Sequence, residues 1–103
     1  MADMNTLKGS QKKYLRGLAH SLKPLIIIGH DGITPSVIKF MEKVLYDHEL
    51  VKVRFNKLKE EKKQLIEELS EATNSEVVGT IGNIAIFYKM NPEEDKRKIK
   101  VCS

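Results

Sequence analysis

The 103-residue sequence has one cysteine, Cys102, no tryptophan and only three prolines. A single thiol permits no intrachain disulfide and no multi-cysteine metal site, a pattern that suits a reducing compartment. No apolar run, Leu25–Ile28 among them, approaches the roughly 20 residues that a membrane helix requires. The first residues, Met1-Ala2-Asp3-Met4-Asn5, contain no apolar segment of a secretory leader, so the expected location is the cytoplasm. Catalytic signatures are missing as well. His20, His30 and His48, with Asp31 and Asp47, show none of the His-Glu-x-x-His type of spacing, and Ser10, Ser36 and Cys102 lack a nucleophile context such as Gly-x-Ser-x-Gly. The chain therefore reads as a non-enzyme that needs neither metal nor cofactor.

Acidic residues are scarce in one place. Residues 1–58 hold 10 Lys or Arg against 5 Asp or Glu, whereas residues 59–103 hold 8 against 9, so the net charge of +4 is polarised. Between Lys8 and Lys23 five cations occur with no carboxylate. A charged helix face is ordinarily a solvated one, but such faces mix signs, because like charges at helical spacing repel. An acid-free stripe tolerates that cost, and clustered positive charge attracts nucleic acid by releasing its counterions. The remaining composition, 41% hydrophobic and 31% charged, is that of one ordinary globular domain with a single core.

Periodicity gives the order of elements. Leu7–Lys23 reads as a helix, with Tyr14, Leu15, Leu18 and Leu22 on a core face and Lys12, Lys13, Arg16, His20 and Lys23 on a separate basic stripe. Pro24 ends it. Leu25–Ile28, continuously apolar and β-branched, fits a strand buried on both faces. The loop Gly29-His30-Asp31-Gly32 follows. Thr34 caps a second helix that starts at Pro35 and runs to about His48 on the apolar positions Val37, Met41, Val44 and Leu45. Glu49–Phe55 alternates as a half-buried strand, with Lys52 and Arg54 on its outer face. A third helix, from about Lys59 to Ala72, has mixed charge and an apolar seam of Leu65, Ile66 and Leu69. Val77–Ile81 and Ile84–Tyr88 flank Gly82-Asn83 as a hairpin. The expectation is an α/β domain over residues 7–90, in the order α-β-α-β-α-β-β, with a mixed four-stranded sheet and packed helices. Residues 1–6 are expected to be flexible. Residues 91–103 read as a charged, mobile tail in which only Lys98-Ile99-Lys100-Val101 alternates as an edge strand would.

The loop Gly29–Gly32 brings backbone amides and a helix start to one place, and residues without Cβ admit a phosphate closely. Such Gly-x-x-Gly loops clamp nucleic-acid backbones in KH domains, although a four-residue motif is weak by itself and serves equally as a strand-to-helix turn. It matches neither Gly-x-Gly-x-x-Gly nor the phosphate loop ending in Gly-Lys-Ser/Thr, which removes nucleotide hydrolysis from consideration. Tyr14, Tyr46 and Tyr88 occupy apolar positions and read as core before they read as base-stacking residues.

Gln11-Lys12-Lys13-Tyr14-Leu15-Arg16, Ala19-His20-Ser21-Leu22-Lys23-Pro24, Ile28-Gly29-His30-Asp31-Gly32-Ile33-Thr34 and Glu49-Leu50-Val51-Lys52-Val53 together resemble the YhbY family, the stand-alone form of the CRM RNA-binding domain. The resemblance runs from about Leu7 to Lys89. It implies a fold like the C-terminal domain of initiation factor 3, RNA binding, association with precursors of the large ribosomal subunit and, in plant organelle relatives, intron splicing. It brings no catalytic residues. The family's RNA surface falls here on Lys12, Lys13, Arg16 and His20 and on Gly29, His30, Asp31 and Gly32. Lys23, Lys52 and Arg54 join them on charge. Family loops commonly have a lysine between the glycines where this chain has His30 and Asp31, and often a threonine where it has Lys8. The expected partner is ribosomal RNA of large-subunit precursors, bound by a monomer. The alternative is a protein-interaction module on the ribosome or in translation initiation, resting on the mixed-charge third helix and the edge strand.

Overall fold

The computed structural model describes residues 7–56 and 59–99. Helix α1 (Gly9–Ala19) leads to strand β1 (Ile26–Ile28), helix α2 (Pro35–His48), strand β2 (Leu50–Phe55), a 3₁₀ turn at Lys59–Glu61, helix α3 (Lys62–Thr73) and the hairpin β3 (Glu76–Ile81) and β4 (Ile84–Tyr88). The strands form one sheet in the order β1-β2-β4-β3, with β1 parallel to β2 and the other pairs antiparallel. This is the expected α/β domain with a mixed four-stranded sheet.

Local chemistry accounts for the boundaries. The Thr34 hydroxyl accepts from the Val37 amide at 3.2 Å, and Pro35 follows at the first helical position. Asn74 ends α3 in the left-handed conformation, and Gly82 turns the hairpin at φ +57°. Lys8 has no acceptor to cap α1; the Gln11 amide oxygen instead accepts from the Lys8 backbone amide at 2.8 Å. Helix α1 is shorter than the apolar spacing predicts. His20 is its C-cap, and Lys23 lies beyond the helix in the turn that Pro24 imposes.

The two faces of the sheet are covered unequally. On one face α2 and α3 pack Met41, Val44, Leu45, Ile66 and Leu69 against Ile26, Ile28, Val51, Val53, Phe55, Ala85 and Phe87. On the other, α1 alone packs Leu15 and Ala19 over Leu50, Val78, Ile86 and Tyr88. One short helix cannot cover four strands. It lies over β2, β4 and β3, leaving edge strand β1 outside its footprint. Strand β1 is therefore not buried on both faces: Ile26 and Ile28 face the large core, while Ile27 is 56% exposed. The core face of α1 also differs from its expected composition. Leu15 and Ala19 are fully buried, but Tyr14, Leu18 and Leu22 stand in or near solvent.

Glu49 organises the chain end. It joins α2 to β2 at φ +65° and is fully buried. One carboxylate oxygen accepts from the Asn91 amide at 2.7 Å, and the other accepts from the amides of Lys98 and Ile99 at 2.6 and 2.9 Å. Residues 91–99 are thus fastened to the domain, with the Arg97 Nε donating to the Asn91 carbonyl at 2.9 Å. Lys98 and Ile99 are not in a strand; Lys100 and Val101, the rest of the expected edge strand, lie outside the described residues, as do residues 1–6. The neighbouring Tyr88 hydroxyl is buried with no hydrogen-bond partner among the described residues, and burial first, then the Glu49 carboxylate, pushes its pKa up to about 12.

Replacing Glu49 by Ala removes a charged acceptor from three amides, each such bond contributing about 1.5–3 kcal/mol in isolation and less in sum. We expect a loss of roughly 3 kcal/mol in urea unfolding, with fast amide exchange of residues 91–99. Slow exchange there would show that other contacts hold the segment.

Candidate nucleic-acid interface

The basic residues of α1 are sorted by how the helix is rolled on the sheet. A β-bulge in β3 sets Val78 and Gly79 together against Ile86 of β4, on the face that α1 covers. Gly79 has no side chain, and the Arg16 stem occupies the vacated space: a Cβ built on Gly79 would lie 2.5 Å from the Arg16 Cδ. From there the Arg16 Nη1 donates to the Val78 carbonyl at 2.9 Å. Four residues earlier, Lys12 meets Glu76 at the start of β3, at 3.7 Å. Lys52 reaches from β2 to the other end of the helix, donating to the Leu22 carbonyl at 2.9 Å and to that of His20 at 3.5 Å. A cation at the carbonyl end of a helix is favourable in itself.

Arg16, Lys12 and Lys52 therefore fix the helix on the sheet, which charge counting alone did not reveal. Lys13, His20, Lys23 and Arg54 are exposed and make no side-chain hydrogen bond or ion pair with another described residue. Among the expected site cations, these four are available to an external anion.

The roll has a second consequence. Leu18 and Leu22, on one flank of α1, line a largely apolar groove of about 410 Å³ with Leu25, Leu50 and Ile99, and with Lys23, His48 and Lys52, at the end of the sheet where β2 begins. The opposite flank, with Arg16 and His20, consequently faces the other end of the sheet. That is the end at which β1 and β2 finish and β4 starts, since Ile28 pairs with Phe55 and Arg54 with Ile84. The loop Gly29–Gly32 leaves β1 there. Arg16 and His20 are thus on the side of α1 turned toward the loop, whereas Lys23 lines the groove and Lys12 meets Glu76 at the other end of the sheet.

Within the loop the two glycines differ. Gly32 is buried at φ +65°, and its amide donates to the Gly29 carbonyl at 3.1 Å, so the turn itself requires a residue tolerant of the left-handed region. Gly29 has an ordinary φ, and a Cβ there would meet nothing within 4 Å. His30 and Asp31 are exposed and make no side-chain bond to a described residue. No group of three or more potential metal ligands occurs among the described residues, and His48 ends α2 far along the chain from the loop.

Gly79 is the residue that composition and spacing could not flag. Its fit to Arg16 predicts an energetic coupling. Gly79→Ala should cost about 1–2 kcal/mol by displacing Arg16 from the Val78 carbonyl, and most of that penalty should vanish in an Arg16→Ala background. Additive penalties in the thermal or urea double-mutant cycle would mean that the contact does not set the helix roll.

Comparison with known proteins places these features in a family. The model of the CRS1 / YhbY (CRM) domain matches residues 7–89. A protein named as a probable RNA-binding protein in Pseudomonas aeruginosa is 35% identical over 91 residues, spanning 87% of this chain and 88% of its own. An RNA-binding protein of Haemophilus influenzae is 40% identical over 91 residues, spanning 87% of this chain and 92% of its own. The solution structure of the hypothetical protein SAV1595 from Staphylococcus aureus superposes with a TM-score of 0.76 at 40% identity, covering 92% of this chain and all of that one.

Proposed function

The chain belongs to the CRS1 / YhbY (CRM) domain family, and we propose that it is a non-enzymatic RNA-binding domain that grips structured RNA through phosphate contacts from α1 and the loop Gly29–Gly32. The observation that carries this reading is the absence of any carboxylate from Lys8 to Lys23, with Arg16 and His20 on the flank of α1 opposite the groove and turned toward the end of the sheet from which the loop departs. The RNA-binding names of its relatives support the partner class. Ribosomal RNA of large-subunit precursors is the target that the stand-alone form of the domain implies, met by a monomer in the cytoplasm. No helix among the described residues is long and apolar enough to cross a membrane.

Roles within the surface divide by what each side chain already does. Lys13, His20, Lys23 and Arg54 meet phosphates directly, because no described residue competes for their side chains. Lys12, Arg16 and Lys52 contribute field while holding the helix. The loop offers its backbone: Gly29 for close approach and Gly32 for shape, with His30 and Asp31 at the rim. Asp31 sets one negative charge beside the phosphates, so helix cations outweigh the loop in affinity.

Neutralising about four phosphates gives a slope of log K against log salt near −3. Lys13→Glu and Lys23→Glu should each weaken binding to a ribosomal RNA fragment and make the slope shallower by about one. Affinity indifferent to salt and to both reversals would sink the reading. The apolar groove beside Leu18 and Leu22 favours a second reading, a protein-interaction module on the ribosome. Partners retained after nuclease digestion, and lost on Leu18→Ser, would establish it.

A further inference from the structure

The region between the α1 cations and the loop is a row of one side chain from each strand. Ile27 of β1 pairs with Arg54 of β2, Arg54 with Ile84 of β4, and Ile84 with Ile81 of β3. Residues paired in register point to the same face, and this face is the one that α1 covers at the next row along. Helix α1 stops short of the row. Ile27 is 56% and Ile81 64% exposed, Arg54 is exposed and Ile84 half-buried. Three β-branched apolar side chains flank a guanidinium that has no partner among the described residues, and all four share one open row of the sheet.

We propose that this row is a platform for one unpaired RNA base, so that the domain selects RNA bearing a bulged or looped-out nucleotide over a continuous duplex. The inference rests on the RNA-binding reading above and adds the feature of the RNA that is recognised. Size is the first argument. Three interstrand spacings make the row about 14 Å long, and one side-chain row is about 7 Å deep, an area near 100 Å². That matches a single base with its ribose and falls far short of the roughly 800 Å² per partner of a stable protein interface, a second copy included.

Chemistry is the second. The isoleucines present a flat apolar floor to the face of a base, and the planar Arg54 guanidinium stacks on a base while its charge attracts the attached phosphate. No carboxylate belongs to the row. Continuity is the third. Arg16 of α1 lies over Gly79, one row along from Ile81 and Ile84, and the Gly29–Gly32 turn begins two residues after Ile27, so a nucleotide on the floor has a cation on one side and backbone amides on the other. Paired bases turn their faces to one another, whereas an unpaired base exposes its face to the platform.

The test uses two RNA hairpins of equal phosphate count, one fully paired and one with a single bulged 2-aminopurine, titrated with the full chain. The wild type should favour the bulged hairpin by roughly tenfold, with a change in 2-aminopurine fluorescence on binding. The double variant Ile27→Thr/Ile81→Thr, which keeps β-branching at exposed positions, should lose that preference and the fluorescence change. Equal wild-type affinity for the two hairpins, or a preference that survives the double variant, would overturn the proposal. Loss of self-association in the variant with the preference intact would assign the row to a second copy, and so overturn it as well. Failure to bind either hairpin would instead remove the RNA-binding reading and this inference with it.

Discussion

The fit of Arg16 into the space above Gly79 governs more of this molecule than its size suggests. A helix resting on a sheet through Leu15 and Ala19 alone has little to fix its rotation, since two adjacent small contacts define a line of support but no orientation. The guanidinium on the Val78 carbonyl and the Lys52 ammonium on the helix C-terminal carbonyls supply that orientation from opposite ends. Everything on the outer surface of α1 follows: which leucines border the groove, which cations point toward the loop, and where the helix footprint ends on the sheet. The bulge in β3 belongs to the same device, because it brings Val78 and Gly79 onto the helix-bearing face together.

The cationic surface is consequently built in two layers. Arg16, Lys12 and Lys52 are charges with structural work, and their positive potential is retained while their geometry is fixed by acceptors on β3 and at the helix end. Lys13, His20, Lys23 and Arg54 are exposed beside them, with no side-chain partner among the described residues. In the proposed complex the held cations need no further ordering to present their potential, whereas the exposed ones lose side-chain freedom on meeting phosphates. The loop shows the same division within four residues. Gly32 answers a requirement of the backbone, whereas no contact within the domain requires Gly29 to lack a Cβ.

Much of the architecture was legible from spacing: the order of the seven elements, the Thr34 cap, the Gly82 turn and the alternation of β2 all follow from patterns a single segment carries. What escaped depends on relations between segments. The apolar run Leu25–Ile28 gave no sign that β1 lies at the sheet edge beyond the reach of α1, so the exposure of Ile27 could not be read from it. The roll of α1 placed Leu18 and Tyr14 outside the core because Arg16 had an acceptor 62 positions away. Glu49 looked like the polar start of a strand, and its partners, the amides of Asn91, Lys98 and Ile99, lie more than 40 residues downstream. The candidate site's residue types and the family resemblance were legible in the sequence; the division of its cations into holding and available ones was not.

In the proposed complex the outer flank of α1, the open row of the sheet and the Gly29–Gly32 loop act as one surface. Backbone amide chemical shifts during titration with a ribosomal RNA fragment test it directly. The largest changes should fall on Lys13 to Lys23, Ile27 to Gly32, Arg54 and Ile81 to Ile84, in one binding process. Changes concentrated on α2 and α3, with this end of the sheet unmoved, would contradict it.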